Sequence, residues 1–225
     1  MDHISSENSN GKSYVVLIDL DDTLLEVNSG RYLVKEAFRR KIMTIRDLSH
    51  ALWFLILYKG GFRDPELVVQ KMALWLKGVP EHTLAELAAD VTVNILIPRI
   101  RPAMREMIRK HREKGASVVL LSAALNYVCD PVARHLNLDD VICSRMEVKE
   151  GIFTGLPEGS LCFGLEKERQ CISYCQKHQY DLDETYCYAD SITDLPLLGA
   201  VGHPVCVQPD RRLLKTARYH RWTIL

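Results

Sequence analysis

Residues 15–25 read VVLIDLDDTLL, and the fold turns on how this stretch is taken. The apolar run Val15 to Ile18 has the length of a strand and stops abruptly at Asp19, Asp21 and Asp22. Such a run is what a strand buried on both faces of a parallel sheet requires, with the carboxylates falling at the sheet's carboxyl edge. Open α/β sheets place their ligands at that edge. Asp19 and Asp21 are two residues apart, so in an extended segment their side chains share a side. No basic residue stands between Val15 and Asn28, so two neighbouring negative charges call for a proton or a cation to neutralise them. A hard, oxygen-seeking ion such as Mg²⁺ suits two carboxylates. The competing reading is a turn in which Asp and Thr side chains cap nearby backbone amides.

The 225 residues suffice for one domain with a large insertion or for two small ones. Lysine plus arginine equals aspartate plus glutamate at 29 each, which leaves no basic field for nucleic acid. Seven cysteines, an odd number with no CxxC pair, speak against a zinc site or a disulfide framework and make a reducing, cytoplasmic setting the default expectation. Cys171 and Cys175, four apart on an expected helix, read as small hydrophobes. The polar N-terminal run lacks the apolar centre of a signal peptide and reads as a loose tail. The most apolar stretch, residues 51–58 (ALWFLILY), is far short of the roughly 20 residues of a membrane span. It reads as a helix core or a dimer surface, with peripheral membrane contact the lesser alternative.

After Thr23 the apolar period becomes helical until about Pro98. Leu33, Val34, Ala37 and Phe38 share one helical face, Thr44 with Asp47 opens a second helix, Asp64-Pro65 a third, and Thr83 with Glu86 forms a capping box for a fourth. Beyond that, helix and strand alternate. A helix opens at Pro102 and ends at Gly115, strands are expected at 116–121, 141–143, 185–189, 205–207 and 222–224, and helices at 131–136 and 164–176. A hairpin turns at Glu150-Gly151. The pattern predicts an α/β fold: a Rossmann-like parallel sheet core, residues 12–27 and 98–225, with an inserted all-helical cap, residues 28–97. Three strands end in reactive groups: Asp19 and Asp21, then Ser122, then Asp190 and Asp194. Lys167 begins a helix, where the positive end of the backbone dipole makes a cation poorly placed for stability.

In this combination the chain resembles the haloacid dehalogenase superfamily, in its phosphoserine phosphatase-like branch with a helical cap after the first motif. DxDxT matches Asp19-Leu-Asp21-Asp-Thr23, the strand-end Ser matches Ser122 in LLSAA, the lysine matches Lys167 in GLEK, and the acidic loop matches Asp190-Ser191-Ile-Thr-Asp194. The resemblance implies a Mg²⁺-dependent phosphomonoester hydrolase acting on a small phosphorylated metabolite or headgroup. Asp19 would be the nucleophile and Asp21 the general acid and base. Ser122, Lys167 and Thr23 would hold the phosphoryl group. The metal would lie on Asp19, Asp190 and residue 21 through its carbonyl, with Asp194 and Ser191 outside it. Asp22 stands where this branch usually has Gly or Ser. Asn28 stands where phosphoserine phosphatases have a Glu that meets the substrate amine, which argues against phosphoserine and leaves Asn28 and Arg31 as candidate specificity residues. A phospho-accepting signalling module and a phosphotransferase using the same aspartate are the alternatives. A monomer and a homodimer fit equally well.

Overall fold

The computed structural model describes residues 13–50, 53 and 73–225. Six strands form one parallel sheet in the order β3-β2-β1-β6-β7-β8: β1 (Val15–Ile18), β2 (Ser117–Leu125), β3 (Asp140–Ser144), β6 (Tyr186–Ala189), β7 (His203–Cys206) and β8 (Thr223–Ile224). The alternation along β1 and β2 divides the core in two. Val16, Ile18, Val118 and Leu120 face one side, where Met104, Met107, Val128 and Val132 pack on them. Val15, Leu17, Val119 and Leu121 face the other, against Cys171, Cys175, Leu198, Leu213 and Ala217. Burial on both faces explains why these strands read as continuous apolar runs, and Cys171 and Cys175 take the hydrophobic role expected of them.

The first layer of helices comprises α3 (Pro102–Glu113) and α4 (Asn126–Leu136), and the second α5 (Gly164–His178), α6 (Leu195–Ala200) and α7 (Arg211–His220). Helix α4 begins at Asn126, five residues before the expected start, and carries Pro131 within it. Strand β2 runs on to Leu125, four residues past its expected end, with a register break between Ser122 and Leu125. Ser122 therefore sits inside the strand, at an irregularity. A separate antiparallel hairpin, β4 (Met146–Lys149) and β5 (Ile152–Pro157), turns at Glu150 and Gly151, both with positive φ, as expected for a type I′ turn.

Between β1 and α3 lie α1 (Ser29–Arg39) and α2 (Glu81–Val91), with Leu33, Ala37, Leu84 and Leu87 buried in the first core. The Thr44–Asp47 start is observed: the Asp47 carboxylate accepts from the Thr44 amide at 2.9 Å, and the Thr44 hydroxyl accepts from the Asp47 amide at 3.3 Å. Thr83 and Glu86 form no capping box. Helix α2 starts at Glu81, whose amide donates to the Gly151 carbonyl at 2.8 Å, so the hairpin does the capping. The helix start expected at Asp64 and the apolar stretch 51–58 lie outside the described residues, except Trp53, which is 58% exposed. At the base of the insertion, Glu26 donates to the Arg99 carbonyl at 2.9 Å and Arg101 to the Leu24 carbonyl at 3.0 Å. A second tie joins Gly78 to Phe153 and Phe153 to Val79 at 2.9 and 3.0 Å. Among the described residues, no helix is long and apolar enough to cross a membrane.

Candidate active site

In a sheet ordered β3-β2-β1-β6-β7-β8, the chain steps from β1 outward to one side and later returns to the other, so the strand order reverses between β1 and β6. That switch point is where crossover connections diverge and leave a crevice at the carboxyl edge. Asp19 leaves β1 and Asp190 leaves β6, and the two strand ends are joined by the Asp19 amide donating to the Tyr188 carbonyl at 2.9 Å. Topology, then, gathers carboxylates that are 171 residues apart in sequence. Asp194 enters from the turn after β6 (Ile192–Asp194), so that carboxylate oxygens of Asp19, Asp190 and Asp194 lie within 4.8 Å of one another.

Lys167, in the first turn of α5, brings the compensating charge. Its ammonium donates to Asp19 Oδ1 at 2.7 Å and to Asp194 Oδ1 at 2.8 Å, and only 3% of the residue is exposed. Burial works against that charge, yet the two carboxylates outweigh it and hold the lysine well above its ordinary range. The same burial pushes Asp19 up to about 6 despite the ammonium beside it. Asp190 is pushed up to about 8 by burial and then by the charges of Asp19 and Asp194. One lysine stands against three carboxyl groups, whose oxygens are close enough together to hold a hard cation. The Thr23 hydroxyl donates to Asp190 Oδ1 at 3.1 Å. This bond orients the Asp190 carboxylate.

Asp21 departs from the expected arrangement. The chain does not stay extended past Asp19. It closes into one wide turn, with Leu24 donating to the Asp19 carbonyl at 3.2 Å and Leu25 to the Leu20 carbonyl at 2.9 Å. This turn directs the Asp21 side chain to the start of α1. There Oδ1 accepts from the Ser29 amide at 2.6 Å and Oδ2 from the Asn28 side chain at 3.2 Å. Asp21's carboxylate is not one of the clustered three, although the charge of Asp19 is near enough to raise it. Burial raises Asp21 to about 7, the Ser29 hydrogen bond opposing the shift. Asp22 has φ +56°, in the left-handed region, which Asp tolerates better than most side chains.

Ser122 is 1% exposed, and its hydroxyl oxygen accepts from the Ala124 amide at 3.2 Å, leaving its proton available to donate. Ser191 caps the turn after β6, accepting from Thr193 at 3.3 Å. Arg31 lines an open cavity of about 330 Å³ with Asp22, Glu26, Asn28, Tyr32 and Lys35. Two contributors escaped the sequence reading. Arg101 donates to the carbonyls of Thr23 and Asp22, both at 3.1 Å, and fixes the wide turn from behind. Asp210 accepts from the Ile192 amide at 2.7 Å, and its own amide donates to the Asp190 carbonyl at 2.8 Å. The Asp before Arg-Arg-Leu signals the N-cap of α7 that Asp210 also provides, but nothing in the sequence ties it to residue 190.

A doubly wound α/β protein with a lysine-bridged carboxylate cluster at its switch point is the class these features define. The chain belongs to the haloacid dehalogenase-like hydrolase family, which it matches over residues 16–199, and it is an enzyme of the phosphatase type. It is 29% identical over 210 residues to a probable phosphatase of Mycobacterium tuberculosis, covering 92% of this chain and 73% of that one. A histidinol-phosphatase of Neisseria meningitidis is 26% identical over 223 residues, 94% of this chain and 97% of that one. The structure of a phosphoserine phosphatase with a phospho-aspartyl intermediate analogue has a TM-score of 0.70 at 18% identity, covering 95% and 92% of the two chains, a likeness of fold.

Proposed function

We propose that the protein hydrolyses small phosphomonoesters through an aspartyl-phosphate on Asp19, with Asp21 as general acid and base. The observation that carries this reading is that the two carboxyls have different partners. Asp19 sits in the buried cluster with Oδ1 held by Lys167, whereas Asp21 lies outside it against the start of α1. A nucleophile must be ionised while its acid partner keeps a proton, and two carboxyls in different surroundings satisfy both conditions. Burial holds Asp21 near neutrality at about 7, where it can act in both directions.

The donor set fits a hard divalent ion, Mg²⁺ being the natural choice: Asp19, Asp190 and Asp194 are oxygen ligands carrying more negative charge than Lys167 offsets. Such an ion would be held by Asp19 and Asp190 with the residue 21 carbonyl, Asp194 standing beside them, and would supply charge neutralisation between acidic protein and anionic substrate. In the first step an Asp19 oxygen bonds to phosphorus, the bond to the alcohol oxygen breaks, and Asp21 gives that oxygen its proton. In the second, Asp21 takes a proton from water as the water oxygen attacks phosphorus, the bond to Asp19 breaks, and inorganic phosphate leaves. Lys167 and the Ser122 hydroxyl donate to the phosphoryl oxygens, whose charge spreads in both transition states. A signalling module that only accepts phosphate gains nothing from an acid placed as Asp21 is.

The alcohol is small and carried by the cavity at Asp22, Glu26, Arg31, Tyr32 and Lys35, which offers charges of both signs. Phosphoserine is disfavoured, because Asn28 cannot supply the carboxylate that would meet its amine. Histidinol phosphate belongs in the test panel on the strength of the Neisseria relative. Phosphate release from 4-nitrophenyl phosphate and from a panel of phosphorylated metabolites tests the reading. Wild-type turnover that is abolished by chelator and by Asp19→Asn is expected. Turnover untouched by either would overturn it, and a new phosphorylated product on adding acceptor alcohols would indicate transfer instead.

A further inference from the structure

We propose that Asn28 is a positioning residue for Asp21, so that the first residues of the cap set the acid of the reaction in place. The inference rests on the reading of Asp21 as general acid. Both polar ends of the Asn28 side chain are committed. Its amide nitrogen donates to Asp21 Oδ2 at 3.2 Å, while its carbonyl oxygen accepts from the Arg31 amide at 3.1 Å and so caps α1. The neighbouring Ser29, 1% exposed, donates its backbone amide to Asp21 Oδ1 at 2.6 Å. The two oxygens of Asp21 thus have different partners on one rigid helix start.

This difference matters chemically. A protonated carboxyl has one O–H, and its direction decides which oxygen in the site can receive the proton. The short bond from Ser29 fills Oδ1, the oxygen that keeps its lone pairs. Asn28 donates to Oδ2 along one lone pair and leaves the other side of that oxygen to carry the proton. As the phosphorus–alcohol bond breaks, the proton on Oδ2 passes to the leaving oxygen and the electron pair stays on the carboxylate. In the return step the proton lost by water restores Oδ2. A carboxylate at position 28 could cap α1 but has no proton to donate to Asp21 and would repel it. An Asn in this place also offers a substrate amine no negative charge, and its printed contacts are with Asp21 and the start of α1.

The experiment compares wild type, Asn28→Ala and Asn28→Ser on two esters. One is 4-nitrophenyl phosphate, whose leaving group departs without a proton; the other is an unactivated alkyl phosphate, which needs one. Serine keeps an oxygen able to cap α1, so it separates capping from the amide's contact with Asp21. Both variants should lose about tenfold or more in kcat/KM on the alkyl ester, part of the range general acid catalysis commands, and less than about threefold on the aryl ester; kcat/KM reads the first transfer alone, whereas water attack on the aspartyl-phosphate needs Asp21 whichever ester is used. Equal losses in kcat/KM on both esters would show a merely structural role and overturn the proposal. So would recovery in the serine variant alone, a raised KM at unchanged kcat, or no change at all. Wild-type inactivity on both esters would instead overturn the phosphatase reading and this proposal with it.

Discussion

Replacing Lys167 by Met removes a buried ammonium and keeps much of the side-chain volume. In the wild type the ammonium lies 2.7 Å from Asp19 Oδ1 and 2.8 Å from Asp194 Oδ1, and those two side chains are only 10% and 6% exposed. Leaving a buried charge without its partner costs about 3–5 kcal/mol. For a chain of this length that corresponds to a Tm lowered by about 6–20 °C. The loss should depend on pH, and its sign follows from Asp19. With the ammonium present Asp19 is already raised to about 6 by burial, and without it the shift grows. The folded variant then holds protons that the unfolded chain, with ordinary carboxylates, has released. Stability therefore falls as pH rises through this window, and the deficit against wild type is larger at pH 8 than at pH 5. Thermal melts of both proteins in chelator, at intervals from pH 5 to 8, measure this directly. A deficit below about 1 kcal/mol, or one independent of pH, would show that Lys167 does not balance the cluster.

The same cluster governs the response of the wild type to metal. Asp19 and Asp190, raised to about 6 and about 8, make the metal-free folded protein bind more protons than the unfolded chain, so its stability declines as pH rises toward 8. Mg²⁺ competes with those protons, and the gain in Tm on adding it should be larger at pH 8 than at pH 5.5; an equal or reversed gain, read by calorimetry, would count against the carboxylates as its ligands. Away from the site, a β-carbon on Gly202 would lie 1.8 Å from the Asp183 carbonyl oxygen. Gly202→Ala should therefore cost about 3 kcal/mol, the upper part of the range for overpacking, because the obstacle is backbone. Its Tm should drop while kcat at low temperature stays at the wild-type value; an unchanged Tm would mean the 182–185 loop yields freely.

The core was legible because its strands are short, apolar and bounded by turn residues. Val15–Ile18 came out at the length expected, and the reactive groups at the ends of β1 and β6 meet as their position in the alternation implied. Legibility failed where tertiary contacts replaced local rules. The wide turn of residues 20–24, with Asp21 bound to the start of α1, is set by contacts that the strand-end pattern does not encode. The bond from Thr23 to Asp190 joins residues 167 apart, which no local pattern reveals. The start of α2 was misplaced because the cap on Glu81 comes from the hairpin's Gly151 carbonyl and not from a nearby side chain. Arg101 and Asp210 act through backbone groups of distant loops, which residue type does not announce.

Trapping the reaction in mid-course tests the central claim most directly. Borohydride added during turnover of an aryl phosphate reduces an acyl-phosphate and leaves the side chain as an alcohol, which peptide mass mapping locates. The account predicts a turnover-dependent conversion of Asp19 to homoserine, with Asp21, Asp190 and Asp194 unmodified. Conversion at any of those three, or none at all while phosphate is being released, would contradict it.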